Sequence, residues 1–400
     1  MIFMKKSNES ESTSVELPFR CKVAMIANTD FVADLQGGIQ IYVRELSEAL
    51  RKLDVDTWNF GINSSGRKPE SHEIFFADHR VSNFTFFLKL WKKALELRNN
   101  GDWVIHVHRP EQIVPFILSK RRQSVVVCTI HGSTKTDVFE SKGKIIGGID
   151  SILEMIGVFF SDAIVFVDEN TAEAYRRRYK SVRRKSYVVP CGVSPTFFDR
   201  QISDGQIEKL GLNDKVRTIC YVGRLAVGKN VDLIIRAFAK LHPPEDLLLA
   251  IAGDGPFRSE LEKLVNDLGL TDNVRFLGQL SRQDVKTLLG TSIALILASS
   301  REACPLVVRE ALASGAKVVS TRVGDVPMMV KDNRFGIIVD NVSEESLAEG
   351  LKQLLSNPAE RVPRDLLSML SWDEIAKDIV IIYEKTTKRR KSASRCNAKS

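Results

Sequence analysis

Short apolar runs recur along this 400-residue chain, each followed by a stretch with helical spacing; the series stops in a polar segment and then begins again. Strands alternating with helices are the signature of parallel α/β sheets, because parallel strands need a crossover between them. The first series contains Lys22–Ala27, Val104–Val107, Val125–Ile130 and Ala163–Val167. Ile41, Val43, Leu46 and Leu50 mark a helix between the first two, another opens at Asn170 and Thr171, and Val188-Val189 leads into the loop Pro190–Pro195. The polar stretch from Asp199 to Lys215 is read as a domain boundary. The second series contains strands Thr218–Val222, Leu247–Ala252, Val274–Leu277 and Ile293–Ala298, with helices at Val231–Leu241 and Phe257–Leu268. The expected fold class is therefore α/β, two Rossmann-like, doubly wound domains in tandem. Ligands of such sheets bind beyond the carboxyl ends of the strands, so two domains facing each other would form a cleft.

A chain of 400 residues is too long for one hydrophobic core, which agrees with two domains. No run approaches the length of a transmembrane helix. Met1–Phe19 is rich in Ser and Glu and has no apolar core of a secretory signal, so it is expected to be a disordered leader. The six cysteines are scattered with no C-x-x-C pair, which argues against a disulfide framework or zinc site and fits a reducing cytosol. The net charge of +8 calls for an anionic partner, and much of it is clustered in Arg176–Lys185 and Lys385–Lys399. Each cluster is either a solvated face or a surface for anions. Phe84, Phe87, Leu88, Trp91 and Leu95 fall on one helical stripe, with Lys89, Lys92 and Lys93 on the other side. Such a segment suits an anionic bilayer surface, or it packs its stripe on the N-terminal sheet.

The chemistry is concentrated in Ser299–Gly315. Pro305 suits the first position of a helix, where its missing N–H would have no partner, and Gly315 suits the position just past the end. Cys304, before a proline, is held extended. Glu302 then lies on the loop ahead of the helix, and Glu310 about one and a half turns inside it. A helix start after a strand is an anion site, because unpaired N–H groups and the positive dipole end face outward. Glu302 could take sugar hydroxyls and Glu310 ribose hydroxyls; a capping loop with a surface glutamate explains the same letters. Gly223-Arg224 to Lys229 follows the strand Thr218–Val222. Arg224 can hold phosphate oxygens bidentately and Lys229 adds a point charge, which suits a departing diphosphate; a basic surface loop is the plainer account. Gly37-Gly38 allows close backbone approach to a phosphate or sugar, or is an ordinary turn. His131 ends an apolar strand beside Gly132 and is a site candidate, whereas His106 and His108 alternate onto one face as core histidines or site groups. No acidic partner has the spacing to make these three a metal site.

In this order the motifs resemble those of glycosyltransferase family 4, a group with the GT-B fold, over residues 20–385. Gly37-Gly38 matches the family's N-terminal glycine loop. Pro190–Phe197 looks like its inter-domain P-N-G-V-D segment, with Cys191 and Ser194 departing from it. Gly223-Arg224 to Lys229 matches G-R-x-x-x-x-K, with Asn230 where glycine is usual, and Ala252-Gly-Asp-Gly-Pro256 matches G-x-G-P. Glu302 to Glu310 matches Glu-x7-Glu, and Ser371-Trp372 resembles the start of a C-terminal helix that crosses back to the first domain. The resemblance implies retaining transfer of a hexose-type sugar from a nucleotide-diphosphate sugar to a glycan or lipid-linked acceptor, with no metal or other cofactor and no nucleic acid. Arg224 and Lys229 would hold the diphosphate, and Glu310 the ribose. Glu302 with the backbone of Ala303, Cys304, Pro305 and Leu306 would hold the donor sugar. His131 would lie near the reacting carbon. Gly37, Gly38 and Gly253 complete the expected donor site, and His131, Glu302, Arg224 and Lys229 are the catalytic candidates. The implied division is a leader at 1–19, an acceptor domain at 20–200, a donor domain at 201–365, a crossover helix at 366–385 and a basic tail at 386–400. The expected location is the cytoplasm, including its membrane face.

Two other classes compete. A dinucleotide-binding oxidoreductase would need a third glycine where Pro256-Phe257-Arg258 follow Gly253-Asp254-Gly255. A sugar-nucleotide epimerase of the same fold would share the diphosphate site, and a non-catalytic scaffold would share the fold, although intact Arg224, Lys229, Glu302 and Glu310 speak against decay.

Overall fold

The computed structural model of the protein describes residues 21–28, 37–63, 68–69, 71–76, 83–99, 102–119, 124–132, 148–149, 151–212, 216–356, 361–363 and 371–396. The leader expected at 1–19 and the end of the basic tail, 397–400, lie outside the described residues.

Two compact units form, Met1–Gly192 with Trp372–Ser400, and Val193–Ser371. The first holds strands β1 (Lys22–Ile26), β2 (Thr57–Gly61), β3 (Glu73–Phe75), β4 (Trp103–Val107), β5 (Val125–Ile130), β6 (Ala163–Phe166) and β7 (Ser186–Val188). They pair in the order β3-β2-β1-β4-β5-β6-β7, all parallel. The second holds β8 (Arg217–Val222), β9 (Leu247–Ala252), β10 (Val274–Gly278), β11 (Ala294–Leu297), β12 (Lys317–Thr321) and β13 (Gly336–Val339). Their order is β10-β9-β8-β11-β12-β13, again all parallel. Both sheets are doubly wound, with the strand order reversing at β1/β4 and at β8/β11.

Five strands lie outside the two apolar series: β2, β3, β7, β12 and β13. Their physical reason is position. β3 and β13 are short edge strands, and β2 and β12 mix polar residues such as Thr57, Asn59, Lys317 and Ser320 into the run. The central strands of the second sheet read as continuous apolar runs because both their faces are covered. Ile219, Leu249 and Ile296 face one core, while Cys220, Ala250 and Leu295 face the other.

The unit boundary lies at Gly192/Val193, ahead of the polar stretch 199–215. Val193 and Phe197 already pack into the core of the second unit, and Val193 bridges Ser371. The polar letters that follow include the exposed helix Asp204–Lys209 of that unit. The last helix runs Trp372–Cys396, so residues from 386 that were expected as tail are helical. Thr386 and Thr387 are buried there, and Arg390 reaches Asp162 at 3.3 Å. This helix belongs to the first unit, where Trp372 lies 5.0 Å from the Tyr42 ring of helix Gly38–Lys52. Asp168, rather than Asn170 or Thr171, caps helix Glu169–Arg178 by accepting from the Thr171 N–H.

Among the described side chains of helix Asn83–Asn99 the buried ones are Phe86, Leu90 and Ala94, spaced by one helical turn. Of the expected stripe, Leu88 and Trp91 are exposed. The side chains of Phe84, Phe87 and Leu95 lie outside the described residues.

His106 and His108 share one face of β4 because strand side chains alternate. His106 is a core histidine whose Nδ1 is 2.6 Å from the Tyr383 hydroxyl and whose Nε2 is 2.6 Å from Thr129 Oγ1. Burial, with His131 nearby, lowers its pKa to about 3, so the folded ring is neutral. The unfolded ring takes up a proton below about 6.5, where the folded ring still refuses one. Stability from this group is therefore complete above about pH 6.5 and falls as the pH drops toward about 3. Denaturant midpoints measured from pH 8 to pH 4 should show a decline in acid that His106→Gln reduces. Parallel curves for the two proteins would remove His106 as its source.

Candidate active site

The switch of the second sheet lies between β8 and β11, and the loops leaving those two strands carry most of the expected site. Gly223 continues β8 with its N–H donating to the Ala252 carbonyl at 3.0 Å. Gly253 leaves β9 with φ +130°, and a Cβ there would stand 1.9 Å from the Gly223 carbonyl oxygen. A side chain at Gly253 therefore fails on conformation and on space.

Lys229 and Glu302 form an ion pair that joins the loop after β8 to the loop after β11. Glu302 also accepts from Ser299 Oγ at 2.9 Å. Arg224 is exposed, and its guanidinium makes no hydrogen bond or ion pair among the described residues. Asn230 is left-handed, with φ 52°, which explains glycine as the usual residue there. Its Nδ2 donates to the Ala298 carbonyl at 2.9 Å and to Ser300 Oγ at 2.8 Å, and the Ser300 N–H donates to Gly228 at 2.8 Å. The asparagine thus keeps the glycine conformation and adds two ties between the loops.

Pro305 is the N-cap of helix Leu306–Ser314, one position ahead of its expected place, and Gly315 ends the helix at φ +93°. Glu310 is buried and ion-paired with Arg282, whose guanidinium lies 4.8 Å over the Phe197 ring. One residue earlier, Arg309 turns inward to a buried ion pair with Asp325. The Asp325 N–H donates to the Ala303 carbonyl at 3.0 Å, and a Cβ on Gly324 would stand 2.1 Å from that oxygen. The segment Glu302–Cys304 is therefore held from beneath by the chain after β12.

The expected residues fall into two sets. Arg224, Lys229, Gly253, Glu302, Ala303, Cys304, Pro305, Leu306 and Glu310 all belong to the second unit, while Gly37, Gly38 and His131 belong to the first. Gly37 caps helix Gly38–Lys52, its N–H donating to Gln40 Oε1 at 3.0 Å. His131 Nε2 lies 3.1 Å from His108 Nδ1, and burial with Arg109 nearby lowers the pKa of His131. Arg282, Arg309, Asp325 and Ser299 were not among the expected residues. Each is an ordinary polar letter whose partner is remote in sequence, except Ser299, three positions before Glu302.

Paired doubly wound units, with cations and carboxylates at the switch of the second, define a glycosyltransferase of the GT-B type. The chain belongs to glycosyltransferase family 4. The family description "Glycosyltransferase Family 4" matches residues 36–197, and "Glycosyl transferases group 1" matches residues 203–365. An uncharacterized glycosyltransferase of Methanocaldococcus jannaschii is 26% identical over 389 residues, covering 91% of this chain and 98% of its own. The D-inositol 3-phosphate glycosyltransferase of Xylanimonas cellulosilytica is 26% identical, covering 88% and 93%. Anabaena HepE, solved in complex with UDP-glucose, has the same fold with a TM-score of 0.65 at 16% identity, covering 93% of this chain and 99% of that one.

The Arg309–Asp325 pair generates a prediction. Asp325→Ala leaves a buried guanidinium unpaired, which costs about 3–5 kcal/mol, while the backbone N–H at 325 can still donate to the Ala303 carbonyl. Denaturation of this variant should shift accordingly, and its affinity for nucleoside diphosphates should fall with it. An unshifted midpoint would show that the pair does not hold the loop.

Proposed function

We propose that the protein transfers a hexose-type sugar from a nucleoside-diphosphate sugar to a hydroxyl acceptor, with retention at the anomeric carbon and without a metal ion. The observation that carries this reading is the meeting of Lys229 and Glu302 at the β8/β11 switch, beside exposed Arg224 and the start of helix Leu306–Ser314. Switch points are where doubly wound sheets bind ligands, and a helix start favours phosphate. The UDP-glucose bound by HepE supports a nucleotide-sugar donor, and the inositol 3-phosphate in the name of the Xylanimonas relative supports a polyol acceptor.

In this reading Arg224 and Lys229 take the diphosphate and stabilise the charge that grows as the sugar–phosphate bond breaks. Glu302 gives up part of its pairing with Lys229 to accept from donor-sugar hydroxyls, and the backbone of Ala303–Leu306 lines the same sugar. Glu310, held by Arg282, receives the ribose hydroxyls. The acceptor oxygen attacks the anomeric carbon on the face the phosphate leaves, and its proton passes to a departing phosphate oxygen. His131, which the family resemblance assigns to the sugar near the reacting carbon, is a neutral ring, with one nitrogen donating and the other accepting. Arg224 and Lys229 carry the charge compensation that a metal would otherwise supply. The acceptor is a glycan or lipid-linked polyol, and the scattered cysteines suit the cytoplasm.

Release of free nucleotide, followed with and without an acceptor, separates transfer from epimerisation and from a silent scaffold. Arg224→Ala should lose about 2–4 kcal/mol of transition-state stabilisation, read from kcat/KM. Turnover near wild type would dissociate the loop after β8 from the diphosphate. Transfer should also survive EDTA; complete loss restored by magnesium or manganese would replace the metal-free mechanism.

A further inference from the structure

Helix 151–160 stands between β5 and β6 and turns an apolar face outward. Its inward side is fixed. A Cβ on Gly157 would stand 2.1 Å from the Pro110 carbonyl, Val158 is buried in the core, and Glu154 accepts from the Tyr179 hydroxyl at 3.1 Å. The opposite side presents Ile152, Met155, Phe159 and Phe160, all exposed, with Phe159 65% accessible. Their spacing of three to four residues makes them one stripe.

Scattered exposed apolar residues are ordinary, but these are not scattered. Of twelve large hydrophobic residues that are exposed among the described ones, five lie at positions 149–160 and two more, Leu88 and Trp91, on helix Asn83–Asn99. Both helices bury their other sides in one core cluster, so they cover the same face of the first sheet. An exposed apolar stripe like that of helix 151–160 marks an interaction site.

The charge beside the stripe says which kind. Lys185 donates to the carbonyls of Phe159 and Ser161 at 2.8 and 2.7 Å, so the cationic segment is seated against the helix end. Arg178, Lys180, Arg183 and Arg184 are exposed there. The acids within reach are engaged: Glu169 with Arg176, Glu173 with Arg177, Asp162 with Arg390 and Glu154 with Tyr179. Apolar side chains that can enter an acyl layer, rimmed by cations that can meet headgroup phosphates, form the pattern of an interfacial membrane helix.

We propose that this face of the first unit docks on an anionic lipid bilayer, with helix 151–160 lying in the interface and Arg178–Arg184 on the headgroups. The docking needs neither donor nor acceptor, so it is measured apart from the transferase reading.

The test is flotation with phosphatidylcholine vesicles, with and without phosphatidylglycerol. Wild type should float with the phosphatidylglycerol vesicles at low salt, lose most of that binding at high salt, and ignore pure phosphatidylcholine. A Phe159→Ser, Phe160→Ser double variant should fold normally, because both side chains are exposed, and should stay in the aqueous fraction. An Arg183→Ser, Arg184→Ser variant should bind several-fold less. The proposal is overturned if wild type ignores anionic vesicles, or if the phenylalanine variant floats as well as wild type. It is also overturned if wild type dimerises in dilute solution through these phenylalanines and binds no vesicle.

Discussion

The buried pair Arg309–Asp325 is the contact on which the loops around the β8/β11 switch of the second unit depend. Arg309 and Glu310 are neighbours on one helix, so fixing the first inward also sets the direction of the second. Asp325 in turn holds the Ala303 carbonyl through its own N–H. One ion pair thereby ties the helix, the loop ahead of it and the turn after β12 into a single body. A buried pair is weak evidence of net stability, since desolvation offsets much of its attraction. Its contribution here is geometric: it sets the direction of the Glu310 carboxylate and the position of the backbone from Glu302 to Cys304.

The second constraint is backbone contact. Gly253 and Gly324 both pass where a side chain would collide with a carbonyl, at Gly223 and Ala303 respectively. The loops after β8, β9 and β12 therefore support the site by close approach, while Lys229, Glu302 and Asn230 join them by charge and hydrogen bonds. Groups held this way need little rearrangement when charge develops in a reaction, which is where electrostatic catalysis gains most.

Much of this was legible in the letters. The apolar runs located β1, β4, β5, β6, β8, β9, β10 and β11 because these strands are long or fully covered. The runs at Gly223–Lys229 and Glu302–Glu310 pointed to the two loops that the Lys229–Glu302 ion pair joins, because each follows an apolar strand and carries glycine or proline beside charge. Short edge strands such as β3 and β13 were illegible, since three or four residues carry no period. The passage between the two cores, at Gly192/Val193, was not legible because polarity marks surface, and Val193 is apolar for the core it enters. Arg282, Arg309 and Asp325 were invisible because their meaning depends on partners 16 to 28 positions away. His106 stood open between core and site until its two ring nitrogens were seen to be satisfied.

The central claim is that the loops around the β8/β11 switch bind a nucleoside-diphosphate sugar, and it can be read without knowing the acceptor. Thermal unfolding against a panel of uridine, guanosine and adenosine diphosphate sugars measures it directly. A donor present at one hundred times its dissociation constant stabilises the folded state by about 2.7 kcal/mol. At least one donor should raise the melting temperature of the wild type, with the shift lost when Lys229 is replaced by alanine. If no member of the panel shifts the wild type, or if the Lys229 variant shifts as far, the donor site lies elsewhere.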